Sequence, residues 1–241
     1  MSAERFIIAG LKIEMTVRYE LLRNQSRKYL CDFLGEPDIV IEAKEDKMEL
    51  LHKRSPLLNI AQREYICTAA VFYNNLLKFN GFMIHSSSIS YGGKAYLFTA
   101  DSGTGKSTHT GLWKAYIDGV EFINDDKPAI RLIDGNFFAC GTPWSGKTDL
   151  NSDTIIPMGG VALLSRGKVN TISKADNNKA VLSLLKQTHL PPFKEGTDNL
   201  ADLLDQFVRN TPVFDFACDI SEEAVKTSFE TMTGQKYTKR T

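Results

Sequence analysis

Lys94-Ala-Tyr-Leu-Phe-Thr-Ala-Asp-Ser-Gly-Thr-Gly-Lys-Ser-Thr108 is a short apolar run that breaks into a glycine loop and then into a helical pattern. Residues 100–107 follow the phosphate-binding-loop pattern with Ala at the first Gly position, and Gly103 adds a second flexible point. Gly103 and Gly105 let the chain curl so that backbone N–H groups converge on one anion, a curl that a Cβ obstructs. Lys106 adds a mobile positive charge. Ser107 is the expected Mg²⁺ ligand, and the helix that opens there turns its positive end toward the phosphates. The expected anion contacts are therefore Asp101, Ser102, Gly103, Thr104, Gly105, Lys106, Ser107 and Thr108.

Outward from the loop, 241 residues suffice for a sizeable core in one large domain or two small ones. The 29 basic and 29 acidic residues cancel, so no global field draws the protein to nucleic acid or to an anionic membrane, and any anion affinity is local. Cys31, Cys67, Cys140 and Cys218 lack metal-ligand spacing and follow no secretory leader, which leads to the expectation of a reduced, cytoplasmic protein. No apolar stretch approaches the ~20 residues of a spanning helix.

Upstream, the runs 5–15 and 38–42 suggest a small, mostly β, N-terminal module over 1–62, with the mixed-charge stretch 42–47 on a solvated turn or strand edge. Apolar residues at helical spacing over 62–78 predict a helix ended by Asn80-Gly81, and 63–241 is expected to form the larger domain. Residues 82–90 read as a strand, Gly92-Gly93 as a tight turn, and 94–99 as its antiparallel partner delivering the glycine loop. Downstream, 107–117 predicts a helix and 120–124 a strand ending in Asp125-Asp126. Hairpins are expected about Asp134-Gly135 and about 166–168. Helices are expected over 177–188, 198–209 and 222–232, a strand over 212–218, and a loop over 190–193. The expected fold class is α/β, a mixed sheet flanked by helices.

Phosphoryl transfer needs a phosphate cradle, a metal ligand and a carboxylate that takes the acceptor's proton. Asp125 and Asp126, at a strand end about 20 residues past Lys106, supply the last two. His85 is expected on the strand that pairs with the loop's own strand, on one face with Met83 and Ser87. His109 is expected to reach a phosphate or to meet solvent. A second stretch, Gly141-Thr-Pro-Trp-Ser-Gly-Lys-Thr148, matches the same pattern. Pro143 has no N–H to give, Trp144 is bulky where backbone must approach an anion, and no apolar helical pattern follows. Trp144, Ser145 and Lys147 are instead candidates to contact an acceptor substrate.

His85 on a strand, Ala-Asp-Ser-Gly-Thr-Gly-Lys-Ser107 and Asn-Asp-Asp126 come in an order that resembles the HPr kinase/phosphorylase and phosphoenolpyruvate carboxykinase superfamily. The resemblance is closest over 81–131 and to the small HPr-kinase-like proteins, some of which phosphorylate serine or peptides. It implies that Lys106 holds the phosphates, Ser107 and Asp126 hold Mg²⁺, Asp125 accepts the proton and His85 assists. Beyond Arg131 the glycine-rich signature of HPr kinase gives way to Thr-Pro-Trp-Ser-Gly-Lys, and the acceptor stays open. The expectation is an ATP- and Mg²⁺-dependent kinase acting on a hydroxyl of an amino acid, small molecule or peptide. A nucleotide-binding sensor without transfer chemistry and a carboxykinase-like enzyme are the alternatives. ATP against GTP, the direction of transfer and a homo-oligomeric state stay open.

Overall fold

In the computed structural model, which describes residues 3–192 and 194–240, apolar alternation organises the N-terminal part. Phe6 and Ile8 on β1 (Glu4–Ile8) and Leu11, Ile13 and Met15 on β2 (Leu11–Met15) point to one side and are buried, as a period of two requires. The expected single run splits at Ala9-Gly10, both at positive φ, into an antiparallel hairpin; β3 (Ile39–Ile41) joins β2 in parallel. The module is more helical than expected, with α1 (Glu20–Ser26) and α2 (Glu45–Arg54). The charged stretch 42–47 runs into the start of α2, where Glu45 and Asp46 favour the positive helix end and His52, Lys53 and Arg54 the negative one.

Helix α3 (Ile60–Leu76) starts at a capping box, in which Asn59 and Gln62 each accept the other's backbone N–H. Its Tyr65, Ala69, Phe72, Tyr73 and Leu76 face a core shared with β1–β3 and with Cys140 and Trp144. A 3-10 turn and Asn80, left-handed at φ 53°, end it.

The remaining strands are β4 (Gly81–Met83), β5 (Ser86–Tyr91), β6 (Lys94–Thr99), β7 (Glu121–Asn124), β8 (Ala129–Ile133), β9 (Asn136–Cys140), β10 (Ile155–Arg166), β11 (Thr171–Lys174) and β12 (Val213–Cys218). They form one mixed sheet in the order β4-β8-β9-β10-β6-β5-β7, with β12 beside β10 and β11 beyond it. The expected strand over 82–90 is broken at Ile84-His85: β4 pairs with β8, and β5 with β6 and β7. Strand β10 curls the sheet. Its start lies antiparallel to β9, and past a bulge at Gly159 it runs parallel to β6 and β12. A Cβ on Gly159 would meet the Tyr96 ring at 2.8 Å, so the bend admits no side chain there.

The hairpin expected about 166–168 does not form, because β12 takes the place beside β10 and β11 pairs antiparallel with β12 instead. Burial explains it: Val213, Phe216 and Cys218 suit an interior strand, whereas β11 is largely exposed and suits an edge. Helices α4 (Lys106–Tyr116) and α7 (Glu222–Thr233) cover one face, α5 (Asn177–Lys186) and α6 (Lys194–Asn210) the other. On β6, Leu97 packs toward α5 and α6 and the flanking Tyr96 and Phe98 toward α4 and α7, the alternation of the pleat. The loop expected over 190–193 has no regular structure at 190–192, and Phe193 lies outside the described residues. Among the described residues no helix is long and apolar enough to cross a membrane.

Candidate active site

The glycine loop follows β6 and ends at Gly105, which caps α4. Gly103 has φ 77° and Gly105 φ 122°, and a Cβ on either would meet nothing within 4 Å. Backbone conformation, not crowding, requires glycine here. Gly103 C=O accepts from the Arg166 guanidinium at 2.6 Å, and the Asp101 carboxylate from Gln187 Nε2 at 3.0 Å. Lys106 is buried, its Nζ donating to Ala100 C=O at 3.0 Å and Asp101 C=O at 3.4 Å. Burial lowers its pKa, opposed by the nearby Asp126, Asp101 and Asp125 charges. Ser102, Ser107 and Thr108 are exposed, and Thr104 is half-buried.

The acid pair follows β7 in a turn built by Asn124. Its Oδ1 accepts the N–H of Asp126 at 2.9 Å and of Lys127 at 2.6 Å, and its Nδ2 donates to Thr142 C=O at 2.9 Å. Lys127 C=O accepts from the hydroxyls of Tyr73, at 2.5 Å, and Thr142, at 2.8 Å. Asp125 is buried; Ser87 Oγ donates to its Oδ1 at 2.5 Å and Thr148 Oγ1 to its Oδ2 at 3.0 Å. Ser87 Oγ also lies 2.6 Å from Thr110 Oγ1 of α4, which couples the acid to the helix of the glycine loop.

Asp126 meets His85 Nε2 at 3.0 Å and pairs with the Lys127 ammonium. Burial pushes its carboxyl up, but the His85 hydrogen bond and the Lys127 charge outweigh that, and it sits below its ordinary value. His85 occupies the break between β4 and β5, not a strand face. Its N–H donates to Gln187 C=O at 2.7 Å and its C=O accepts from Thr99 Oγ1 at 2.8 Å, which fixes the imidazole over Asp126.

His109 neither reaches the cleft of the acid pair nor meets solvent. It is buried between the Phe98 and Phe216 rings, and its Nε2 accepts from Trp113 Nε1 at 3.2 Å beside Ser228 Oγ at 3.0 Å. The second glycine stretch is a loop with no helix after it. Trp144, expected to face an acceptor, is fully buried, stacked on Phe72 with centroids 4.9 Å apart and donating to Thr68 Oγ1 at 3.2 Å. It anchors the loop and has no surface to offer a ligand. Ser145 is buried and accepts from Asn151 Nδ2 at 2.8 Å, whereas Lys147 is exposed and makes no hydrogen bond or ion pair among the described residues. Gly146, at φ 76°, lies against the acid pair: a Cβ there would come within 3.0 Å of Asp126 Cβ.

An open cleft of ≈ 460 Å³ joins these parts, lined by His85, Ser102, Gly103, Gly105, Lys106, Ser107, Thr108, Asp125, Asp126, Ser145, Gly146, Lys147 and Thr148. Thus the glycine loop, the acid pair, His85 and the second loop meet in one space. Sequence reading missed Asn124, Ser87, Thr110 and Thr148, which orient the acids. An Asn just before two acids is a turn signal; the hydroxyl ladder exists only once β5, α4 and the second loop are assembled.

No family model matches the chain, and no curated protein does. Among solved structures, the Hpr(Ser) kinase/phosphatase from Coxiella burnetii aligns over 63% of this chain and 93% of its own, with a TM-score of 0.37 and 11% sequence identity. A likeness of that depth leaves the site to be read from its own geometry.

Proposed function

We propose that the protein is an ATP- and Mg²⁺-dependent kinase that transfers the terminal phosphoryl group to a serine-type hydroxyl of a small molecule or peptide. The observation that carries this reading is the single cleft shared by the glycine loop, the start of α4 and the Asp125-Asp126 pair. Loop N–H groups and the helix end suit the phosphates, and Lys106 exchanges its contacts with Ala100 and Asp101 for phosphate oxygens. Ser107 and Asp126 present hard oxygen donors to the cleft, and Asp126 is held anionic by His85 and Lys127. Among the described residues no group of three or more His, Cys, Asp and Glu side chains is placed to hold a metal. That suits Mg²⁺, which takes one or two protein oxygens and fills its shell with phosphate and water. When bound, the ion neutralises charge on the transferred group.

In the transfer step the acceptor O–H gives its proton to Asp125, the oxygen forms a bond to the γ-phosphorus, and the bond to the bridging oxygen breaks to release ADP. Ser87 holds one Asp125 oxygen, and the other, met by Thr148 of the second loop, is the one that would face an acceptor. Incubation with γ-labelled ATP, Mg²⁺ and serine, small alcohols or serine peptides tests the reading. Labelled product that persists at full rate in Asp125→Asn would remove the proposed base.

A second reading, a nucleotide sensor without transfer, is favoured by one observation. The N-terminal module grips the second loop through Gln25 Nε2 to Gly146 C=O at 3.0 Å and Lys28 Nζ to Asn151 C=O at 2.8 Å. It predicts tight ATP binding with no product on any acceptor.

A further inference from the structure

The three-stranded sheet of the N-terminal module has one covered edge and one open edge. On the β1 side Phe6 bridges to Leu30, and Arg5 C=O accepts the Cys31 N–H at 3.1 Å. Strand β3 pairs with β2 alone, and among the described residues no strand lies beyond it. An open edge offers backbone N–H and C=O groups to an extended chain.

A cavity of ≈ 470 Å³ follows this edge. Ile39 and Ile41 are buried with α3 in the module's core, so Val40, 61% exposed, and Glu42 belong to the opposite face of the sheet. A cavity that touches both of these and α3 therefore passes along the edge itself. Its far wall is Cys67, Ala70, Val71 and Asn74, half-buried and spaced i, i+3, i+4 and i+7 on one face of α3. That stripe is about 10 Å long. The three residues of β3 span about the same length, so the walls together fit about three residues of an added strand.

Charge selects what lies there. The mixed-charge stretch 42–47 forms the rim. Glu42 is met by Arg18 at 2.8 Å, whereas the exposed Lys44 and Lys47 side chains make no hydrogen bond or ion pair among the described residues. The uncompensated charge lining the groove is thus positive. A second copy of this chain laid edge to edge would bring its own lysines to the junction, where like charges repel. An acidic strand gains from the same lysines, and its apolar side chains meet Val40, Ala70 and Val71.

We propose that this groove docks an extended segment of a polypeptide acceptor, in which acidic residues alternate with apolar ones, at a distance from the hydroxyl that is phosphorylated. The proposal rests on the kinase reading above and narrows its acceptor from a small molecule or peptide to a peptide. The groove adjoins the cleft through α3, whose neighbouring face carries Tyr65 and Tyr73, bonded to Gly146 and to Lys127 C=O. At the end of the stripe Asn74 Oδ1 lies 3.1 Å from His189 Nε2, two residues past the Gln187 whose C=O holds His85. Docking at one face raises the local concentration of the acceptor serine at the other.

An NMR titration of the ¹⁵N-labelled full chain with the peptide acetyl-Val-Glu-Val-Glu-Val-amide tests the groove. Amide shifts are expected over 38–47 and 67–74, with 100–110 unmoved. The same peptide with Lys in place of Glu, and one N-methylated so that it cannot pair as a strand, should each bind about ten-fold more weakly. Lys44→Glu combined with Lys47→Glu, two exposed positions, should reverse the preference between the acidic and basic peptides. Shifts that are absent or lie elsewhere, equal binding of all three peptides, or an unchanged preference in the double variant overturns the proposal. A chain that sediments as a dimer, with its β3 amides protected from exchange before peptide is added, assigns the edge to a second copy and overturns it as well. The kinase reading is tested apart, with γ-labelled ATP and the acidic peptide extended by glycines and a serine. Label on that serine without shifts in the groove removes the docking site and keeps the kinase. Shifts in the groove without label on any acceptor keep a peptide site and remove the kinase reading.

Discussion

Lys106 and Lys147 occupy equivalent places in two stretches that match one motif, yet their surroundings differ in burial and partners. Lys106 is buried at a helix start, within the field of three carboxylates. Lys106→Ala should weaken ATP by about 1.5–3 kcal/mol, the scale of a charge-assisted hydrogen bond, and leave the fold intact because the two bonds it gives up run only to carbonyls of its own loop. Unchanged affinity by calorimetry would reduce the glycine loop to a structural turn. Lys147 is exposed in a loop that no helix follows and whose backbone is committed elsewhere, the Gly146 N–H to Tyr65 and its C=O to Gln25. Lys147→Ala should raise the acceptor's KM or lower kcat with ATP affinity in the binary complex unchanged. Loss of ATP binding in a folded Lys147→Ala protein, with Lys106→Ala unaffected, would reverse the two assignments. The difference between the loops was legible in Pro143 and in the absence of a following helical pattern. The burial of Trp144 was not, because an aromatic in a glycine-flanked loop reads as exposed until α3 supplies Phe72 and Tyr73 to pack on it.

At the scale of elements, strand and helix positions came through the sequence well, since β6, α4, β12 and α7 have periods set by two clear faces. Pairing partners did not. Residues 166–168 carry turn chemistry, but whether β10 turns back on itself depends on a better-buried strand that arrives some fifty residues later. Likewise the break at His85 is set by Gln187 and Thr99, both distant in the chain. The contact of α4 with α7 gives a pH prediction. His109, Trp113 and Ser228 hydrogen-bond across it, and burial depresses the His109 pKa from 6.5 to about 4. Between those values the unfolded chain binds the proton and the folded chain does not. Stability from this site is therefore whole above pH 6.5 and falls as pH drops toward 4, by about 3 kcal/mol in all. Urea titrations across that range should show a smaller pH slope in His109→Gln than in the wild type, and an NMR titration should find the His109 ring neutral at pH 5.5. A ring already protonated there would mean that α4 and α7 admit water between them.

For the whole molecule, α3 is the element that hydrogen-bonds both to the N-terminal module and to the loops of the candidate site. Glu64 on its second turn accepts the N–H groups of Arg18 at 2.8 Å and Tyr19 at 3.0 Å, fastening the start of α1. The next residue, Tyr65, holds Gly146; about one turn on Thr68 holds Trp144, and further along the helix Tyr73 holds the turn of the acid pair. Gly146 lies against Asp126 closely enough that a Cβ added there would come within 3.0 Å of the Asp126 Cβ. Gly146 C=O is in turn bonded to Gln25 at the end of α1. These packed contacts predict that ATP binding and the order of the module are coupled, a coupling that would act in both directions. Hydrogen exchange should therefore show ATP protecting amides of residues 20–26 as well as those of 100–110. Gln25→Ala should abolish the first effect and keep the second. If residues 20–26 exchange at the same rate with and without saturating ATP in the wild type, the module is a passive cover on α3 and the sensor reading loses its one supporting observation.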